Sequence, residues 1–160
     1  MEKKIILFMP VLEIGGVEKN FIIIANNLHK KFKKLTIVSL TFSIKNKLNK
    51  KIKFTGPKSA IFEKFSRRVQ FLISLFYLSK QIISNRKSIV VCFQGNMYCV
   101  YLCKLLGTQV ILRSNSSPSG WSKNRIKIFL YRFGFKLADG IIVNSTQFKK
   151  QLKKKIQCKC

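Results

Sequence analysis

The chain has 160 residues, 47% of them apolar, which fits one globular domain with a sizeable core and excludes a disordered protein. Its 32 lysines and arginines against 5 acidic residues give a formal net charge of +27. Such a charge attracts phosphates on nucleic acid, anionic lipid or a nucleotide ligand. Because the chain is also rich in Ile, Asn and Phe, drift of the coding sequence toward A and T explains the lysines equally well.

The start of the chain imitates a secretory signal, with Lys3 and Lys4 before an apolar run. However, Pro10 and Glu13 interrupt that run and no small-residue cleavage site follows, so we expect a cytoplasmic protein with reduced cysteines. The cysteines are Cys92, Cys99, Cys103, Cys158 and Cys160. Their spacing matches no common zinc pattern. We therefore predict no metal and interpret them as core residues and part of a loose tail.

The first predicted elements surround a glycine pair in the stretch KIILFMPVLEIGGVE. The pattern predicts a strand over residues 5–9, a turn at Gly15 and Gly16, and a helix over residues 17–31. Such a turn lets the backbone approach a phosphate or sugar and points helix N–H groups at it. A tight turn without a ligand is the alternative.

The next segments are shorter. A second strand is predicted over residues 35–41, and residues 52–55 predict a short edge strand that ends at Gly56 and Pro57. The lysine-rich residues 44–54 show no clear pattern.

Residues 62–85 predict one long helix with an unusually wide apolar arc. The arc covers two adjacent faces, with Phe65, Val69, Leu72 and Phe76 on one and Phe71, Leu75, Leu78 and Ile82 on the next. Its uninterrupted apolar run is too short to span a bilayer. Either the helix crosses over between the sheet and a neighbouring helix, or it lies in an anionic membrane surface with its cations at the headgroups.

The second half of the chain alternates strands and helices. Strands are predicted over residues 88–93, 109–112 and 140–143, and helices over residues 97–106, 121–137 and from Asn144-Ser145 to about 155. This alternation predicts an α/β protein built as a Rossmann-like open parallel sheet with helices on both faces.

Polar or glycine residues follow four of these strands, at Gly15-Gly16, residues 94–96, residues 113–117 and Asn144-Ser145. The carboxyl ends of parallel strands share one edge, where open α/β sheets bind their ligands. The sequence therefore predicts a ligand site at this edge.

Simple catalytic devices are scarce. The single histidine, His29, falls near the end of a basic helix and is interpreted as a surface residue, so hydrolytic triads lack a base. Only Glu13 and Glu18 lie near the predicted site, and Glu18 also suits the dipole of the helix that it begins. The chain has no GxxxxGK[ST] loop, which excludes P-loop phosphoryl transfer.

Three segments, PVLEIGGVEKNFIIIANNL, ILRSNSSP and LADGIIVNS, together resemble the amino-terminal half of a family 4 glycosyltransferase of the GT-B fold. The resemblance spans nearly the whole chain and keeps the family's order of motifs. It implies retaining transfer of a sugar from a nucleotide-sugar donor, without a bound metal. The acceptor would be a lipid-linked saccharide or a cell-surface glycan, as in the synthesis of cell-envelope polysaccharides.

The resemblance also implies roles for individual residues. Gly15 and Gly16 match the glycine loop near the donor phosphates, and Arg113 and Asn115 match the polar pair of the acceptor cleft. Asn144 and Ser145 match the "NS" after the last strand, where Ser145 is also a typical helix cap. With Glu18 and Asn96 at the same edge, the predicted substrate-binding residues are Gly15, Gly16, Glu18, Asn96, Arg113, Asn115, Asn144 and Ser145. The histidine that many relatives carry in the acceptor cleft has no counterpart here, so no catalytic residue is assigned.

The family's second domain, which binds the nucleotide, has no counterpart before the end of this sequence at Cys160. We expect residues 1–160 to be an acceptor-side domain that is either truncated or completed by a separate chain, and inactive alone. Basic residues and the helix predicted over 62–85 would attach it to the inner face of the cytoplasmic membrane.

Two alternatives remain. A basic nucleic-acid-binding module is disfavoured because no binding motif appears and the aromatic residues lie in apolar runs. An inert fragment would aggregate through the apolar surface that its missing half leaves open.

Overall fold

The computed structural model describes residues 4–12, 15–93, 97–114 and 124–156. Within these ranges the strands are β1 (Lys4–Phe8), β2 (Leu35–Val38), β3 (Lys53–Thr55), β4 (Ser88–Cys92), β5 (Gln109–Ser114) and β6 (Gly140–Val143). The α-helices are α1 (Gly16–Lys31), α2 (Arg67–Ser84), α3 (Met97–Leu105), α4 (Arg125–Leu137) and α5 (Thr146–Ile156). Two 3-10 segments, Phe42–Lys47 and Ala60–Lys64, lie between β2 and α2.

The strands form one sheet in the order β3-β2-β1-β4-β5-β6, and every neighbouring pair is parallel. Each predicted strand is present, with β3 at the predicted edge. The strand order reverses between β1 and β4, so the chain leaves the sheet centre first toward β3 and later toward β6. This confirms the predicted Rossmann-like open sheet.

Helices cover both faces of the sheet because successive residues of β1 point to opposite sides. Ile5 and Leu7 lie in a core with Phe21 of α1, whereas Ile6 and Phe8 lie in a second core formed with α2, α3, α4 and α5. This division follows from right-handed crossovers. Helix α1 connects β1 to β2, a step across the sheet in the direction of β3, whereas the later helices connect strands in steps across the sheet in the direction of β6.

The prediction of one long helix over residues 62–85 is wrong at its start. The backbone is extended at Phe65 and Ser66, and α2 begins only at Arg67. The side chain of Gln70 explains the break, because its Nε2 donates to the carbonyls of Glu63 and Phe65 at 2.7 and 2.8 Å. A glutamine amide thus satisfies carbonyls that a continuous helix would have bonded internally. Among the described residues, no helix is long and apolar enough to cross a membrane.

Three of the cysteines confirm the interpretation as core residues. Cys92, Cys99 and Cys103 are fully buried, and the sulfurs of Cys99 and Cys103 lie 4.0 Å apart. Burial raises the pKa of the Cys99 thiol well above its usual value, so it stays protonated at neutral pH. Cys158 and Cys160 lie outside the described residues. Within the described ranges no three potential ligands cluster around a metal position, and the absence of a metal stays a prediction.

Asp139 joins three elements at the amino-terminal edge of the sheet. Its backbone N–H donates to the carbonyl of Val110 at 2.9 Å, and its carboxylate accepts from the N–H of Val110 and from Lys104 of α3, both at 2.7 Å. Burial alone would raise the pKa of this carboxyl, but the hydrogen bonds from Lys104 and Val110 outweigh it and lower the pKa. The aspartate of the LADGIIVNS segment therefore has a structural role.

Since the folded-state pKa of Asp139 lies below its unfolded value, its stabilisation is present above about pH 4 and disappears as the pH falls through the folded value. We expect Asp139→Asn to lower the free energy of unfolding at neutral pH and to reduce the further loss of stability on acidification. Urea unfolding of both proteins between neutral and acid pH measures this. An unchanged acid response in Asp139→Asn would contradict the assignment, and Glu63→Gln, whose carboxylate makes one exposed backbone contact, is the control.

Candidate functional site

The predicted site lies where the strand order reverses. All strands are parallel, so the segments that follow β1, β4, β5 and β6 leave the sheet at the same edge. Ligands of open α/β sheets bind in the crevice at such a reversal point. Because neighbouring strands lie about 4.8 Å apart, the ends of β1 and β5 are roughly 10 Å apart and those of β1 and β6 roughly 14 Å apart.

Gly15 and Gly16 form the start of α1 at this edge. Both are exposed, and a Cβ added to either would meet no atom within 4 Å. The backbone of Gly15 is extended, a conformation open to any residue, and no side chain caps the helix that follows. Neither packing nor backbone geometry within the described residues therefore requires glycine here. The first N–H groups of α1 face an open edge, where helix termini bind anions.

Glu18, in the first turn of α1, is buried and already has a partner. Its Oε1 lies 2.8 Å from Nζ of Lys47, which projects from the 3-10 segment after β2. The carboxylate thus combines a favourable position in the helix dipole with an ion pair inside the fold. Its predicted contact with substrate stays a prediction.

Arg113 is the penultimate residue of β5, and its guanidinium lies over an aromatic ring. Its Cζ is 5.2 Å from the ring centre of Phe93, which directly follows β4. The same ring contacts Phe21 of α1 edge-to-face, with centres 4.8 Å apart. Phe93 therefore holds Arg113 on the α1 side of the sheet, between the ends of β4 and β5.

The guanidinium of Arg113 is incompletely satisfied by the fold. Its Nη1 is buried and has no hydrogen-bond partner within the described part of the chain. Burial lowers the pKa of Arg113 from its ordinary value, which still leaves the group charged. The described carboxylates contact other groups: Glu18 contacts Lys47, Glu63 the N–H of Phe42, and Asp139 contacts Lys104. A partly desolvated cation that no described carboxylate neutralises is a suitable group for an anionic ligand.

The remaining predicted residues are placed less centrally. Ser145 caps α5, since its Oγ accepts from the N–H of Phe148 at 3.1 Å, which confirms the capping interpretation. Asn144 is exposed directly after β6. Asn96 and Asn115 lie outside the described residues, as does Glu13. The structure thus brings Gly15, Gly16, Glu18, Arg113, Asn144 and Ser145 to the predicted edge.

His29 is half-buried, so its interpretation as a surface residue is only partly right. Its Nδ1 is buried and makes no hydrogen bond to any described residue. It belongs to the last turn of α1, at the opposite edge of the sheet from Gly16. This distance supports the conclusion that it supplies no base to the predicted site.

Sequence reasoning missed two residues that shape the site, Phe93 and Lys47. Phe93 looked like the last apolar residue of a buried strand, and only the fold shows that its ring supports Arg113. Lys47 stood in a lysine-rich segment without a pattern, and nothing in its local sequence points to Glu18.

A separate groove of about 300 Å³ lies at the opposite edge of the sheet, beside the first residues of β1, β2 and β3. Its basic lining residues are Lys4, Lys33, Lys34, Lys51 and Lys53. These side chains are exposed, and the groove does not touch the predicted site.

No family model and no curated protein matches the chain, but solved structures do. A UGT transferase from Siraitia grosvenorii solved with UDP is 15% identical with a TM-score of 0.59, over 97% of this chain and 48% of that one. A UDP-glucosyltransferase from Polygonum tinctorium is 14% identical with a TM-score of 0.60, over 94% of this chain and 49% of that one. A UGT enzyme from Phytolacca americana, solved with UDP-fluoroglucose and pterostilbene, is 11% identical with a TM-score of 0.57, over 100% of this chain and 52% of that one.

At these identities the similarity shows the fold. The chain spans about half the length of each of these structures, from 48% to 52%. Its fold is that of one half of a GT-B glycosyltransferase, as the sequence motifs implied. The similarity does not single out family 4 within that fold.

The unsatisfied cation leads to a stability prediction. Replacing Arg113 by Met removes a partly buried N–H group without a partner while keeping most of the side-chain volume. We expect the free energy of unfolding of Arg113→Met to stay equal to wild type or to rise by up to about 1 kcal/mol. Denaturant unfolding measures it.

Phe21→Ala, in the same cluster, serves as the comparison. It removes a ring that is fully buried and should destabilise by about 3–5 kcal/mol. A loss above about 1.5 kcal/mol in Arg113→Met would show that the arginine is held in the fold for structural reasons.

Proposed function

We propose that this chain is the amino-terminal, acceptor-side half of a glycosyltransferase that uses a nucleotide-sugar donor. One observation carries the proposal. In the fold of half a UDP-glycosyltransferase, two features occupy the same strand edge: a helix start after a glycine pair, which no described side chain caps, and an arginine whose Nη1 has no partner among the described residues. Phosphate oxygens are the chemistry that both features select.

The chain's own residues divide the work of binding. Gly15 and Gly16 leave room for a phosphate or sugar against the backbone, and the first N–H groups of α1 point toward it. Arg113, supported by Phe93, supplies a fixed positive charge for a phosphate or a departing nucleotide. Asn144 offers an exposed polar side chain farther along the edge, in the direction of an acceptor.

Membership of family 4, retaining stereochemistry and independence from metal belong to the proposal as well. They are supported by the positions of the family's motifs: the GGVE segment begins α1, the arginine of ILRSN is the penultimate residue of β5, and the NS pair follows β6. A lipid-linked saccharide or a cell-surface glycan is the proposed acceptor. No side chain of this half is assigned as general acid or base.

Catalysis in this proposal needs a second α/β half that binds the nucleotide. The similarity to about half of each solved glycosyltransferase supports this requirement. The second half is provided either by further coding sequence after Cys160 or by a separate chain. Sequencing the DNA downstream of the Cys160 codon distinguishes the two arrangements.

Binding of UDP by the chain tests the site, with chemical-shift changes in NMR as the measure because the affinity of one half is expected to be low. Gly16→Val places methyl groups in the open space before α1 and should weaken UDP binding at least about fivefold without loss of fold. Arg113→Met should weaken it to a similar extent or more, since charge-assisted hydrogen bonds are worth about 1.5–3 kcal/mol.

Arg86→Met is the matched control for Arg113→Met. It also removes one exposed positive charge, but it lies before β4 at the opposite edge of the sheet. If Arg86→Met weakens UDP binding as much as Arg113→Met, the nucleotide responds only to net charge, and the proposed site is wrong.

A nucleic-acid-binding module remains the second candidate, favoured by the groove with five lysines at the other edge of the sheet. It predicts tight and strongly salt-dependent binding of single-stranded DNA that Lys51→Gln and Lys53→Gln reduce together. The glycosyltransferase proposal predicts no effect of these two changes on UDP binding.

A further inference from the structure

Helix α2 buries Leu78 and Ile82 in the core, but it also has a second apolar stripe that is exposed. Its outward residues Val69, Leu72, Phe76 and Ile83 are 42 to 66% exposed, although they recur at the spacing of an apolar helix face. Its buried positions include three polar side chains, Gln70, Ser74 and Gln81. Two of them donate hydrogen bonds to backbone carbonyls: Gln70 to those of Glu63 and Phe65, and Ser74 to that of Phe71. A helix whose outer face contacted only water would have polar residues at its exposed positions and apolar residues at its buried ones.

Helix α4 repeats this arrangement. Ile126, Phe129, Leu130 and Phe133 are 44 to 71% exposed and lie at helical spacing. The buried residues of α4 are Gly134, which lies against Met97 and Tyr101 of α3, and Phe135, which belongs to the core. The four apolar side chains that form a stripe along α4 are therefore exposed to solvent.

The two stripes are joined across α3. Tyr98 of α3, 67% exposed, contacts Phe71 of α2 with ring centres 5.6 Å apart, and Tyr101 stacks on Phe133 of α4 at 6.2 Å. Tyr101 also donates its hydroxyl to the carbonyl of Leu130 at 2.6 Å. Near the other end, a groove of about 240 Å³ between α2 and α3 is lined by aliphatic side chains that include Leu105, itself 84% exposed.

We call this continuous surface the apolar helix face. It consists of Val69, Leu72, Phe76, Ile83, Tyr98, Leu105, Ile126, Phe129, Leu130 and Phe133. Soluble monomers rarely expose such a large apolar area without a partner. It lies on the sheet side opposite α1, and it does not include the residues of the predicted ligand site.

Exposed cations lie on α2 and α4 and just after the end of α2. They include Arg68, Lys80, Arg125, Lys127, Arg132 and Lys136 on the helices, and Arg86 after α2. Helices α2, α3 and α4 contain no aspartate or glutamate. An apolar centre with cations at its sides matches a surface with an apolar interior and anionic headgroups.

We propose that the apolar helix face rests on an anionic lipid bilayer, with the side chains of α2, α3 and α4 at the depth of the upper acyl chains. The sequence suggested membrane attachment through basic residues and the helix predicted over residues 62–85; the surface that the fold assembles also includes α3 and α4. This inference stands apart from the proposed sugar transfer, because it uses none of the residues assigned to the nucleotide.

Lipid competes with three other occupants: a second copy of the chain, nucleic acid, and the second half that the proposed function requires. If the face packs against that second half instead of lipid, Phe76→Ser and Phe129→Ser leave flotation unchanged. Charge distinguishes lipid from a second copy, and the kind of side chain distinguishes it from nucleic acid. A second copy of the chain carries the same net charge of +27 and would be repelled. Nucleic acid would use the exposed rings of Phe76, Tyr98 and Phe129, whose exposure contradicts the expectation that the aromatic residues are internal. However, aliphatic side chains such as Leu72 and Leu105 do not stack on bases, whereas they enter a lipid layer readily.

Flotation with lipid vesicles tests the proposal on the whole chain. The wild-type protein should float with vesicles of phosphatidylglycerol and phosphatidylcholine, and should stay behind with phosphatidylcholine alone or at high salt. Phe76→Ser combined with Phe129→Ser, each ring 66% exposed, should reduce the partition coefficient at least about tenfold. Circular dichroism verifies that the variant is folded.

Helix α1, on the other side of the sheet, supplies matched controls. Ile23→Ser changes a side chain that is 56% exposed and should alter the partition coefficient less than about twofold. Arg132→Gln with Lys136→Gln should weaken flotation about tenfold or more, and Lys30→Gln with Lys31→Gln, at the exposed end of α1, should weaken it less.

Equal effects of the α1 and α4 changes would overturn the proposal, because attraction would then come from net charge alone. Flotation that Phe76→Ser and Phe129→Ser leave unchanged would overturn it too. If these changes dissociate a dimer seen by light scattering, or abolish binding of single-stranded DNA, while flotation persists, the face serves a second copy or a nucleic acid instead.

Discussion

The parallel pairing of β1 with β4 is the constraint on which the rest of this structure depends. Residues Lys4 to Phe8 pair in register with Ser88 to Cys92 and bring together strands about eighty positions apart in the chain. Because strands are added outward from this pair in both directions, their carboxyl ends meet at one edge. The same pairing assigns α1 to one face and the later helices to the other. The ligand site and the apolar helix face both follow from that division.

Two features of the molecule lower the stability of the folded state. Because folding does not need them, they are informative about function. The Nη1 group of Arg113 is buried and has no hydrogen-bond partner in the part of the chain that the structure describes. Helix α2 buries Gln70, Ser74 and Gln81 while exposing apolar side chains. Each arrangement costs solvation free energy, and selection for stability alone would not favour it. In our proposals an anionic ligand accounts for the first feature, and contact with a lipid surface accounts for the second.

The sequence was sufficient for much of the fold because its signals are local. Apolar strands such as Ser88–Cys92 alternate with helices at regular spacing, and parallel pairing then follows from connection length alone. The break before α2 was not predictable, since it depends on a side-chain amide that bonds to carbonyls five and seven positions earlier. The support of Arg113 by Phe93 was equally hidden, because it joins the ends of different strands. For the same reason the ion pair of Glu18 with Lys47 required coordinates.

The composition of the chain offers a simpler explanation for exposed Phe and Ile, namely drift toward A and T, and the distribution of these residues argues against it. Drift would enrich apolar residues on every exposed helix surface. Helix α1 exposes one large apolar side chain, Ile23, and α5 buries Phe148 and Leu152 beneath a lysine-rich outer face. Exposed apolar side chains instead concentrate on α2, α3 and α4, which are neighbours on one side of the sheet. A bias of composition does not select three neighbouring helices and spare α5 on the same side of the sheet, whereas a binding partner does.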